Sequence, residues 1–133
     1  MMAQQIQIAV DCVVFDEKNR ILLIRRKNYP FEGSYALPGG FVEYGETTED
    51  AAARELLEET GLVAKSIKFI GVYSRPERDP RGHVISVAYL ASVDSPDAKA
   101  GDDAASAEFV EDWQNLRLAF DHNEILSDAL KIK

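Results

Sequence analysis

Between Gly39 and Leu62 the chain reads GGFVEYGETTEDAAARELLEETGL, and this stretch constrains the fold more than any other. A glycine pair after Pro38 gives way to a helical period that carries its own start and stop signals. Thr47 is placed to cap the helix N-terminus, with Asp50 three residues on reaching back as in a capping box. Glu49 and Asp50 suit the positive end of the helix dipole, and Gly61 falls where a left-handed cap would end the helix. The 3.6-residue period puts Ala52, Ala53, Leu56, Leu57 and Thr60 on one side and Glu55, Glu58 and Glu59 on the other. Arg54 stands at the edge of the acidic side.

Around this helix the chain reads mostly as strands. Ile6–Glu17 is β-branched and apolar, EKNR after it is turn chemistry, and Ile21–Arg26 is a second strand, so the pair predicts a hairpin. NYPFEGSYALPGG is a loop of Gly, Pro and aromatics with room for a short strand at Tyr35–Leu37. Ala64–Arg75 and His83–Val93 are further strands on either side of the polar loop PERDPRG. DSPDAKAGDDAASA reads as a loop, EFVEDW as a short strand, and Asp121–Ile132 as an amphipathic closing helix. With no repeat and no linker, 133 residues make one domain, residues 1–133: a mixed sheet covered by helices.

Composition narrows the function. A hydrophobic content of 46% fills a core, and the net charge of −8 argues against general nucleic-acid binding, which needs a basic face. Small phosphorylated ligands stay open if something neutralises them locally. The single cysteine, Cys12, allows no internal disulfide, and its apolar setting predicts a buried thiol. No apolar run approaches the ~18 residues of a membrane span. The start, MMAQQIQIAV, lacks a basic, cleavable leader, so the cytoplasm is the expected compartment.

The acidic helix side needs an explanation. Charged outer faces are common, but Glu55, Glu58 and Glu59 are not alternated with lysines at the spacing that stabilises a surface helix. Their repulsion costs a few tenths of a kcal/mol per pair, roughly, with Arg54 as the visible counter-charge. A hard divalent cation turns that repulsion into a site, because Mg²⁺ takes carboxylates together with waters and substrate phosphates.

From Gly40 the stretch follows G-x5-E-x7-R-E-U-x-E-E-x-G-U, U being aliphatic, through Glu46, Arg54, Glu55, Leu56, Glu58, Glu59, Gly61 and Leu62. A chance match is on the order of 10⁻⁹ to 10⁻¹⁰ per start position. The stretch resembles the signature of the Nudix hydrolases with every position met, and the likeness extends through the flanking strands and closing helix. That resemblance implies an α/β/α sandwich with a mixed β-sheet between helices. It also implies hydrolysis of a nucleoside diphosphate linked to another group, with Mg²⁺ or Mn²⁺. Carried over by position, Glu55, Glu58 and Glu59 are metal ligands, joined by a backbone carbonyl of the Gly39–Gly40 turn. Arg54 would orient one of the glutamates, and Glu46 would support the box or hold a water behind it. The general base differs among family members. Glu55 is one candidate here, and Asp102, Asp103 and Glu108 in GDDAASAEF are the others.

Substrate choice lies outside the box. YSRPERDPRGHVISVAYL resembles the corresponding segment of ADP-ribose pyrophosphatases, in which a proline about fifteen residues past the box is a marker; Pro76 sits there. LLIRRKNYPFEGSYALPGGFVEYGE and AFDHNEIL share that likeness. Arg25, Arg26, Arg78 and Arg81 are candidates for phosphate binding, and Tyr73 or Phe31 for stacking on a base. Arg25 and Arg26 are adjacent on a strand, so one at most faces the site. His83 and His122 read as structural. Two other functions stay open: a housecleaning hydrolase of damaged nucleoside triphosphates, and a non-catalytic sensor of ADP-ribose. The sensor reading is disfavoured by the intact box and by the end of the sequence at Lys133, which leaves no room for a DNA-binding domain. A homodimer is expected from the resemblance.

Overall fold

The computed structural model describes residues 4–95, 98, 101 and 104–133. The chain runs β1 (Gln7–Val13), β2 (Ile21–Arg26), β3 (Tyr35–Ala36), β4 (Gly39–Phe41), α1 (Thr48–Thr60), β5 (Ala64–Tyr73), β6 (Val84–Val93), β7 (Ala104–Val110), a 3-10 turn (Trp113–Asn115) and α2 (His122–Ile132). The strands form a mixed sheet in the order β4–β1–β6–β5 and an antiparallel sheet in the order β3–β2–β7. β1 and β6 are parallel, with Gln7 opposite Val84 and Val13 opposite Leu90.

Alternation along β1 and β2 builds a core on both faces. Cys12, Val14 and Leu22 point to one side, where they meet Ala51, Ala52 and Leu56 of α1. Val13, Ile21 and Leu23 point to the other, against Ile125, Leu126 and Ala129 of α2. A fully buried leucine such as Leu56 contributes about 1.5–3 kcal/mol. The result is the expected mixed sheet structure between helices. The Cys12 thiol is buried, donates to the Ala52 carbonyl at 3.2 Å, and is pushed up in pKa by burial.

Three local expectations are corrected. The hairpin of the first two strands exists only at its tip. Phe15 bridges Ile21, the Leu22 amide donates to Val14 O at 3.0 Å, and the Asp16 carboxylate accepts the Lys18 and Arg20 amides. Beyond the tip the strands part, because β4 and β6 already occupy both edges of β1. The segment expected to stay a loop until Glu108 is strand from Ala104: pairing with β2 recruits small residues that carry no β signal of their own. The Gly39–Gly40 turn is a short strand, with Val10 opposite Gly40 and Asp11 opposite Gly39.

Thr47 and Gly61 cap α1 as the sequence predicts, while the return bond expected from the Asp50 carboxylate is not made among the described residues. Thr47 Oγ1 accepts the Asp50 amide at 3.1 Å, and Gly61, at φ 75°, returns its amide to Leu57 O. Its rotation differs from the expected one. Leu57 is 50% exposed, whereas Glu59 is only 7% exposed. The arc that meets the sheet is centred on Ala52, Leu56 and Glu59, and so draws one acid inward.

Candidate active site

A cleft of about 470 Å³ opens between the β1–β4 edge, α1 and the turn before α2. It is lined by the carboxylates Glu43, Glu55 and Glu59 and also by Arg26, Arg78, Arg81, Phe41 and Phe120.

The acidic wall is assembled through glycine. Neither Gly39 nor Gly40 has a positive φ, so their lack of a side chain matters for proximity instead. A β-carbon on Gly39 would lie 2.1 Å from Val10 O, and one on Gly40 would lie 2.5 Å from Glu55 Cδ. The Gly39 amide donates to Glu59 Oε1 at 3.1 Å. Burial pushes the Glu59 carboxyl up to about 9, against the pull of that amide, and the nearby Glu55 adds to the rise. Glu55 is raised too, by burial first, although Arg54 opposes it.

Arg54 organises the rest. It grips Glu46 with two N–H groups, Nε at 2.7 Å and Nη2 at 3.0 Å. Nη1 reaches Glu55 at 2.8 Å and Glu58 at 3.3 Å, and Nη2 also donates to Phe41 O at 3.0 Å. The fork therefore binds the helix to the β4 segment, and it draws the Glu46 carboxyl down to about 2. Glu58 leans onto Arg54 at the solvent edge. Among the described residues no three acidic, imidazole or thiol side chains converge on one point as they stand. The donor chemistry nonetheless fits a hard cation. Glu55 and Glu59 are crowded oxygen donors, both held above their ordinary pKa, beside a backbone stripped of β-carbons.

Of the four arginines expected to meet phosphate, Arg26, Arg78 and Arg81 line the cleft. Arg78 is committed to Asp121 through Nε at 2.9 Å and Nη2 at 2.6 Å, buried along the cleft wall. Arg25 lies elsewhere, donating to Gly33 O at 2.8 Å and stacking on Tyr35. Tyr73 is not brought to the cleft: its ring joins the core and its hydroxyl donates to Asp128 at 2.7 Å. Glu108 also lies away from the cleft and accepts the Tyr35 hydroxyl at 2.6 Å. Asp103 and Asp102 fall outside the described residues.

Sequence reasoning missed Asp11, Phe41, Asp79 and Phe120 among the cleft residues. Asp11 is buried behind Gly39, where it accepts Ser86 Oγ at 2.5 Å and His122 Nε2 at 3.3 Å. The other ring nitrogen of His122 accepts the Leu37 amide at 3.0 Å, and this residue, read from sequence as structural, also lines the cleft. A lone carboxylate in the apolar run AVDCVV was the available signal, since a buried charge demands partners. Phe120, at φ 53°, had none.

The family model for the NUDIX domain matches residues 5–130. The chain belongs to the Nudix family. The ADP-ribose pyrophosphatase of Methanocaldococcus jannaschii is 55% identical over 127 residues, 95% of this chain and 74% of that protein. The NUDIX domain of Shewanella oneidensis NrtR, solved with ADP ribose, superposes with a TM-score of 0.90 at 28% identity, over 98% of this chain and 90% of that one. A MutT/nudix family protein from Enterococcus faecalis gives a TM-score of 0.88 at 36% identity, over 99% of this chain and 63% of that longer one. This Nudix chain thus carries the family's signature helix against a glycine-lined strand, and no described helix is long and apolar enough to cross a membrane.

Proposed function

We propose that this Nudix protein is an Mg²⁺- or Mn²⁺-dependent pyrophosphohydrolase that cleaves ADP-ribose to AMP and ribose 5-phosphate. The observation that carries the reading is the cleft itself, which brings crowded carboxylates together with arginines and aromatic rings. The 55% identity to an ADP-ribose pyrophosphatase supports the choice of substrate.

Glu55, Glu58, Glu59 and the Gly39 carbonyl would hold the metal. When bound, a divalent ion neutralises diphosphate oxygens and lowers the pKa of water. Arg54 fixes Glu55 and leaves it oriented toward the Gly40 side, where it serves as general base; Asp103 is the competing base. Glu46 acts by holding Arg54. Arg26 approaches the phosphates, and Arg78 stiffens the wall beside it. A homodimer in the cytoplasm completes the reading. Strand β5 supports the dimer: it is an unpaired sheet edge with Phe69 and Val72 exposed.

Hydrolysis of ADP-ribose, NADH and 8-oxo-dGTP, each with Mg²⁺ in H₂¹⁸O, tests the proposal. ADP-ribose should turn over fastest, and ¹⁸O in AMP or ribose phosphate identifies the phosphorus attacked. A triphosphate that turns over while ADP-ribose stays intact selects the housecleaning alternative. Saturable ADP-ribose binding without cleavage of any substrate selects the sensor.

A further inference from the structure

The part of the cleft around Arg81 is built in a way that phosphate binding does not explain. Arg81 holds its own guanidinium still by pairing with Asp79, from Nη2 to Oδ2 at 2.7 Å and from Nε to Oδ1 at 3.1 Å. Asp79 is itself buried and accepts the Arg81 amide at 2.9 Å. The pinned guanidinium lies 5.1 Å from the centroid of Phe41 and 5.8 Å from that of Phe120. Both rings line the cleft.

Phe120 is fixed from several sides. Its backbone is left-handed, an unfavourable state for an aromatic residue, and the neighbouring residues lock it there. The Ala119 amide donates to Tyr35 O at 2.8 Å, Asp121 holds Arg78, and His122 holds Leu37. The ring packs edge-on against Phe31, itself at φ 59°, with centroids 4.8 Å apart. Arg26, at 5.1 Å, and His122, at 5.3 Å, also lie against the Phe120 ring, so it is the guanidinium pinned beside Phe41 that offers a surface preorganised for another flat group.

We propose that Phe41, Arg81 and Phe120 form a stacking wall that selects the nucleobase of the substrate, with Asp79 as the residue that positions Arg81. The assignment deepens the proposed function and rests on a nucleotide occupying this cleft. Aromatic faces and a guanidinium plane both stack on bases. The nucleoside end then lies at this wall, and the diphosphate runs from it toward the carboxylates. Charge alone cannot be the purpose of Arg81, because Asp79 neutralises it.

The test uses etheno-adenosine, a fluorescent nucleoside with no phosphate, titrated with the full chain without metal. The wild-type protein should quench it saturably. Phe41→Leu and Phe120→Leu should each weaken binding tenfold or more. Arg81→Lys keeps the charge but loses the plane and should weaken it at least threefold, as should Asp79→Asn. Phe41 is partly exposed on a short strand, so that variant tests the wall even if Phe120→Leu fails to fold. Absence of saturable quenching by the wild type overturns the assignment, as does equal binding by wild type, Phe41→Leu and Arg81→Lys. Hydrolysis of ADP-ribose by the wild type is read separately. Quenching without hydrolysis refutes the proposed activity and keeps the wall; hydrolysis with unchanged binding in the variants does the reverse.

Discussion

The carboxylate of Glu55 occupies the space that a β-carbon on Gly40 would need, with Cδ 2.5 Å from the ideal position. Strand β4 and helix α1 can approach this closely only because the residue is glycine. Gly40→Ala should therefore push the Glu55 side chain aside and lower kcat by about 10²-fold, the scale expected when a reacting group is misplaced by an ångström. The fold should survive, since the obstacle is a side chain. Gly39→Ala meets the backbone oxygen of Val10 at 2.1 Å and should lose stability instead. Steady-state kinetics and thermal unfolding of the two variants separate these effects.

Arg54 makes a second prediction. Its fork reaches Glu46, Glu55, Glu58 and the Phe41 carbonyl at once. A lysine offers one charge and no fixed plane, so it cannot hold these acceptors together. Arg54→Lys should reduce kcat by roughly 10- to 100-fold through loss of Glu55 orientation. Glu46→Gln should show part of the same loss without touching the cleft directly. Near wild-type kcat in Arg54→Lys would separate the arginine from the chemistry.

Glu58 and Glu59 should respond alike in catalysis and differently in stability. Either change to glutamine removes a proposed metal ligand, and turnover at saturating Mg²⁺ should fall by orders of magnitude. Glu59 is buried in a setting that already favours its uncharged form, so Glu59→Gln should leave the metal-free melting temperature unchanged or raised. Glu58 is exposed and paired only at the surface, so its change should cost less than ~1 kcal/mol. Calorimetry with a chelator and rates with Mg²⁺ check both halves. Retention of near wild-type rate by either variant removes that residue from the metal site.

These predictions also mark how much of the molecule its sequence discloses. The caps of α1, Thr47 and Gly61, are local, and the helix begins and ends where they say. The acidic signature is equally local, and the spacing of Arg54, Glu55 and Glu59 carries into the cleft. What the helical period could not settle was rotation. Glu59 lies in the middle of the buried arc and Leu57 outside it, and only the position of β4 turns the helix that way. Arg78 and Tyr73 show a related limit: Arg78 reaches the cleft but is tied to Asp121, and Tyr73 leaves it for Asp128. Their partners, Asp121 and Asp128, lie 43 and 55 residues away, and no local pattern announces such pairs. The parting of β1 from β2 likewise depends on β6, whose paired residues lie 77 positions further along the chain (Gln7 to Val84).

The last prediction concerns pH and rests on Asp79. The Arg81 guanidinium and amide hold the buried Asp79 carboxyl below its ordinary value of 3.8, against the opposing effect of burial, which is the largest single influence. A carboxyl lowered in the folded state stabilises the fold above its unfolded pKa, and that contribution disappears as pH falls through the folded value. Asp79→Asn should thus be less stable than wild type at pH 7, by about 1–3 kcal/mol for a buried charge-assisted bond. The gap should narrow as pH drops below 3.8, where the unfolded wild-type chain takes up the proton first, and close as pH falls through the lower folded value. Urea unfolding of both proteins at pH 7, 5 and 3 measures it. A gap that stays constant to pH 3 would mean that packing of Asp79, and not its charge on Arg81, holds this loop against the cleft.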